Sequence, residues 1–235
     1  MQHVGDALAL AITLIGSLDP GLFEIVALSL EVSLTAVAVA GMIGLPLGAL
    51  IAVGRFPGRA VVITVVNALM GLPPVVVGLL VYMLLSNSGP LGVLELLYTP
   101  TAMIVAQTIL VTPIVTALTR QTIDDLKVEY DDQLRVLGRS PLQKTATLLW
   151  EGRHSLLTAL LAGFGRAIAE VGAVIIVGGN INHVTRTMTT AIALETSKGD
   201  LALALALGLI LLTLAFAANA IVMTARINAH QPVYG

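Results

Sequence analysis

The sequence predicts an all-α membrane protein: five spanning helices preceded by a short helix lying at the membrane interface. Three observations carry that prediction. The 235 residues are 57% hydrophobic and only 11% charged, with a mean hydropathy of +0.95, whereas soluble domains carry roughly a quarter charged residues. Four uncharged runs are each long enough to cross a bilayer, which takes about 20 mostly apolar residues. Charge is also concentrated: twelve of the 26 Asp, Glu, Lys and Arg residues fall between Arg120 and Arg153.

The uncharged runs are 32–54, 60–94, 96–119 and 201–225. The first helix is expected to begin near Phe23, with Glu24 and Glu31 toward its outer end. The second contains Ser-Asn-Ser-Gly-Pro-Leu-Gly at 86–92, a turn-forming cluster that ends its helix early. A further span at 155–177 is interrupted by Arg166 and Glu170, which completes five. Residues 7–18 are too few to cross and are expected at the interface, with Asp19, Pro20 and Gly21 breaking the chain before the first span. The opening residues lack the basic stretch of a cleaved signal, so the N-terminus is expected to be mature. The whole chain, 1–235, reads as one transmembrane domain with a polar loop at 120–153.

Basic residues orient the spans. Arg55, Arg59, Arg120, Lys127, Arg135, Arg139, Lys144, Arg153 and Arg226 share the side of the polar loop, and only Arg186 and Lys198 lie opposite. The loop and the C-terminus are therefore expected inside the cell and the N-terminus outside. Pro46, Pro73, Pro74 and Pro113 fall within the predicted spans, where each removes a helical donor and kinks the backbone. Gly44 and Gly48 flank one of them, a spacing that lets helices approach closely.

Several functions are excluded. A net charge of −2 offers no basic face for nucleic acid, and with no cysteine there is no disulfide or thiol chemistry. No glycine-rich run ends in Gly-Lys-Ser/Thr, so the chain has no P-loop for nucleotide phosphates. It also lacks HExxH, all seven aspartates lie outside the spans, and the four histidines are scattered. The sequence therefore predicts neither metal nor covalent catalysis.

The polar loop has internal punctuation. Residues 122–130 read as a charged extension of the third span, after which Asp131 or Asp132 is expected to cap a short helix. Leu134 and Leu137, three apart, would share a face as an apolar knob pair. Gly138 can take the left-handed conformation that ends the helix, and Pro141 blocks its direct continuation. An acidic residue, two residues in the family's Ala positions, three more and then Gly, Asp132 to Gly138, resembles the loop of binding-protein-dependent ABC importer permeases, with Asp132 in the family's Glu position and Gly138 in its Gly position. In that family the loop docks on an ATP-hydrolysing subunit. The resemblance carries the docking role to Asp132, Leu137 and Gly138, and the short helix adds Asp131, Leu134 and Arg139 as candidate docking residues.

Two further segments carry the same resemblance. Leu72-Pro73-Pro74-Val75 is similar to a segment of molybdate- and sulfate-type permeases, and so is Arg166-Ala167-Ile168-Ala169-Glu170-Val171-Gly172-Ala173, with Ala169 and Val171 departing from the pattern. Gly178-Gly179-Asn180-Ile181 and the stretch from Thr185 to Asp200 look like the tungstate-type branch. The resemblance implies a type I ABC importer transmembrane domain for an oxyanion, tungstate foremost. It also implies a second copy of the chain, two ATP-binding subunits holding ATP and Mg, and an external binding protein. The rival from the residues alone is an ATP-independent secondary transporter or channel.

Arg166 and Glu170, four apart, share a helical face within the membrane, where an unpaired Arg costs at least about 2.5–3.5 kcal/mol. They read as a mutual ion pair, as an attractor for an anionic substrate, or as a carboxylate relay. Asn180, Thr185, Thr187, Thr189 and Thr190 could line the outer mouth as weak donors for an oxyanion, or could cap a short external helix.

Overall fold

In the computed structural model the described residues, 2–17 and 20–229, form ten α-helices and no strand. Three are long and apolar enough to cross a membrane unaided: α2 (Pro20–Val53), α5 (Pro100–Val136) and α10 (Leu201–Ala229). Two bent pairs are long and apolar enough for a further crossing each if the pair is taken as one span. Helices α3 (Arg59–Leu69) and α4 (Pro74–Leu85) meet at 96°, and α7 (Arg153–Ile168) and α8 (Gly172–Gly178) meet at 58°. Counting each pair once gives five.

The bends correct the expectation of continuous spans. Pro73 and Pro74 do not kink a helix from inside; they start one. Pro73 is the extended N-cap residue of α4 and Pro74 its first helical residue, where the missing N–H would be unpaired anyway. Pro46 and Pro113 do sit inside unbroken helices, α2 and α5. The fourth crossing breaks at Ala169–Val171 rather than running through Glu170.

Helices α2 and α5 form the central contact, and glycine makes it close. A Cβ on Gly48 would lie 2.5 Å from the Thr116 carbonyl oxygen and 2.7 Å from Thr119 Cβ, so no larger residue fits without moving a backbone. One apolar core joins α2, α4, α5 and α8 through Val32, Val77, Met103 and Val174. A second joins α2, α5 and α7 through Val37, Val111, Val115 and Phe164.

The remaining helices are peripheral. α1 (Gln2–Gly16) and α9 (Met188–Lys198) pack on α10 around Ala11, Met188, Ala191, Leu207 and Ile210. Leu18 and Asp19, expected to end the first helix, lie outside the described residues. α10 keeps Leu212, Phe216 and Ile221 exposed, as suits a surface wetted by lipid. The polar loop contains α6 (Pro141–Glu151).

Candidate functional site

The polar loop is a helical hairpin, and its first arm is the end of a membrane helix. α5 runs without interruption from Pro100 to Val136, so Asp132 lies within it and caps nothing. The expected separate short helix is therefore absent. Asp131 shares this position in the helix, and its side chain lies outside the described residues.

The helix ends where Gly138 was expected to end it. Gly138 has φ of +61°, and the N–H of Arg139 donates to the Leu134 carbonyl at 3.2 Å, the six-residue closure of a Schellman turn. Ser140 then opens α6. Its hydroxyl accepts from the Gln143 N–H, and the Gln143 side chain accepts from the Ser140 N–H. This capping box satisfies two of the helix's free donors, with Pro141 next in the tolerated first position.

The two leucines separate rather than forming a pair. Leu134 is buried among Ala49, Ala52, Ile123 and Leu148, whereas Leu137, past the helix end, is 67% exposed. The exposed apolar tip is instead Val136, Leu137 and Leu142, with Arg139 and Asp132 exposed beside it. Val136 and Leu142 carried no sequence signal, because single apolar residues in a charged loop look incidental.

The base of the hairpin is tied to the membrane helices by charge as well as by packing. Arg59 donates to both carboxylate oxygens of Asp124, at 2.8 and 3.1 Å, and from Nε to the Ile51 carbonyl at 2.8 Å. Arg120 adds a third bond to Asp124 at 2.9 Å. Lys127 donates to the Ala52 carbonyl at 3.0 Å. Two cations thus sit on the last carbonyls of α2, where the helix dipole is negative.

Within the membrane, Arg166 and Glu170 form the ion pair that their spacing suggested. Glu170 is 3% exposed and Arg166 31%. The break between α7 and α8 frees backbone groups, and side chains from three directions meet them. Glu170 Oε1 accepts from the Ala173 N–H at 3.0 Å, which caps α8. Thr189 donates to the Glu170 carbonyl at 2.8 Å, and Gln107 of α5 donates to the Ala167 carbonyl at 3.0 Å. Gln107 is 3% exposed and its Oε1 finds no partner among the described residues. The sequence reading passed over it, although one amide in an uncharged membrane run was a signal.

The outer threonines are enclosed. Thr185, Thr187, Thr189 and Thr190 are all buried. Thr185 donates to the Gly178 carbonyl and accepts from the Ile181 N–H, and Thr190 accepts from the Thr187 N–H at the start of α9. Their hydroxyls are bonded within the chain. Asn180 holds φ of +51° in the turn after α8. Among the described residues no three His, Cys, Asp or Glu side chains gather as a metal site requires.

The structure is thus a bundle of apolar helices with an apolar-tipped hairpin braced at its base by ion pairs. Residues 44–224 match the family of binding-protein-dependent transport system inner membrane components, and the chain belongs to that family. It is a multi-pass membrane subunit of the ABC importer type, whose partners are an ATP-binding subunit and a substrate-binding protein. It is 41% identical to the tungstate uptake system permease protein TupB of Peptoclostridium acidaminophilum, over 94% of this chain and 97% of that one. To TupB of Campylobacter jejuni it is 40% identical, over 67% and 66%. To the sulfate transport system permease protein CysT of Salmonella typhimurium it is 28% identical, over 68% and 60%.

Proposed function

We propose that this chain is the translocation subunit of an ATP-driven importer for a tetrahedral oxyanion, and that the anion is tungstate. Two copies enclose the path, each carrying one ATP-binding subunit, and an external binding protein delivers the anion. ATP and Mg are bound by the partner, and this chain performs no chemistry of its own. The α5–α6 hairpin and the C-terminus face the cytoplasm, and the N-terminus faces outward, consistent with the nine basic residues on the hairpin side.

One observation carries the coupling mechanism: α5 is a single helix from the membrane core to the exposed tip at Val136. Displacement of the tip by a closing ATPase pair would pass along that helix to the α2–α5 contact and to Gln107, which holds the α7–α8 bend. The bends and the packed interface would then switch access from one face to the other as rigid bodies. The choice of tungstate rests on the names of the two TupB relatives.

The test is uptake into proteoliposomes by the complete complex, with competition among tungstate, molybdate and sulfate. Uptake should require the ATPase, internal or external ATP on its side, and the binding protein, and tungstate should compete best. Full uptake without the ATPase would make the chain a secondary transporter or channel. Preference for sulfate would correct the substrate alone.

A further inference from the structure

A groove between α2 and α7 has no part in the coupling described above. Its volume is about 610 Å³. Leu34, Gly41 and Pro46 line one wall and Leu156 and Leu160 the other, and Arg153 is the one charged residue in its lining. From Leu34 to Pro46 it follows α2 for roughly 18 Å, at about 1.5 Å per residue. Half of a bilayer's hydrocarbon core is about 15 Å, so the groove matches the depth of one leaflet.

Three contacts fix which end meets the interface. Leu160 lies against Gly41, where an added Cβ would come within 3.0 Å of it. Leu148 of α6 packs with Ala49 and Ala52. Arg153, between Leu148 and Leu160 in sequence, therefore stands near the Pro46 end. At that level Gly48 faces the backbone of Arg120, the first charge after the apolar stretch of α5. The cation is thus at the membrane surface and the leucines run inward from it.

The geometry points to a binding site for an anionic phospholipid, with one acyl chain in the groove and the phosphate on Arg153. The guanidinium is held in place. It lies 4.7 Å from the centre of the Trp150 ring and donates one bond, at 2.7 Å, to the Trp150 carbonyl. Its other N–H donors meet no partner among the described residues, and an arginine grips a phosphate with two parallel bonds. Trp150 is 67% exposed, and tryptophan favours the headgroup level of a membrane. Glycine at 41 keeps the floor open.

The site depends on the chain spanning a membrane and not on which anion it transports. Its test is native mass spectrometry of the assembled complex extracted from equimolar phosphatidylglycerol and phosphatidylcholine. Phosphatidylglycerol should be retained over phosphatidylcholine by about fivefold, as one arginine at an anionic surface predicts. Arg153→Gln should abolish the preference, and Ala38→Phe, which fills the exposed groove wall, should abolish retention of both lipids. Equal retention by the wild type, or an unchanged preference in both variants, would overturn the proposal. So would an inter-chain disulfide from Ala38→Cys, placed in a chain with no cysteine of its own, because a second copy would then fill the groove. If Ala38→Phe fails to fold, the wild-type preference and the Arg153→Gln result still decide.

Discussion

Arg59 holds both carboxylate oxygens of Asp124 while its Nε caps the Ile51 carbonyl, so one side chain joins the end of α2, the start of α3 and the base of the hairpin. Neither partner is more than a third exposed. Hydrogen bonds to charged groups contribute about 1.5–3 kcal/mol each in a favourable site. Asp124→Ala, which also strands Arg120, should lower the thermal unfolding midpoint in detergent clearly. Asp125→Ala, at an exposed neighbouring position, should leave it nearly unchanged.

Gly138 tests conformation apart from space. Nothing lies within 4 Å of where its Cβ would be, so a larger side chain meets no clash inside this chain. The left-handed φ of +61° nevertheless costs an ordinary residue about 1–2 kcal/mol. Gly138→Ala should weaken co-purification of the ATPase, and Gly138→Asn, which tolerates that conformation better, should weaken it less. Gly138→Trp should abolish association while the chain remains in the membrane.

The intramembrane pair should behave asymmetrically. Arg166→Ala leaves a carboxylate that is 3% exposed without its cation, and breaking a buried pair from one side costs about 3–5 kcal/mol. Glu170→Gln keeps an oxygen for the Ala173 N–H and should be milder. The amount of folded protein in membranes measures this directly. If Arg166→Ala instead gives normal protein levels with reduced transport, Arg166 acts on the anion's path.

At the α7–α8 break, two similar bonds should differ in effect. The Glu170 carbonyl receives Thr189, so Thr189→Val leaves a buried acceptor unpaired at about 1–3 kcal/mol. The Ala167 carbonyl receives both Gln107 and the Glu170 N–H, and Gln107→Leu also removes an unpaired buried oxygen. Thr189→Val should therefore be the more destabilising in thermal unfolding.

The long helices were legible because an uncharged run must cross a membrane as a helix, and α2, α5 and α10 follow those runs. The bent pairs were not, because hydropathy averages across a break that costs little when Thr189, Gln107 and Glu170 satisfy the freed groups. Gly138 was readable from its backbone freedom. Asp131 and Asp132 misled because a capping residue acts only where a helix begins, and residues 122–136 contain nothing that stops one. The burial of Leu134 and exposure of Leu137 needed the partner helices α2 and α6, which spacing alone does not supply.

The coupling claim is tested most directly at the tip. Leu137→Asp combined with Leu142→Asp places charge on two side chains that are 67% and 73% exposed, so the fold should tolerate both. The account predicts normal amounts of protein in the membrane, loss of the co-purifying ATPase, and loss of ATP-driven oxyanion uptake. Intact co-purification with undiminished uptake would contradict it.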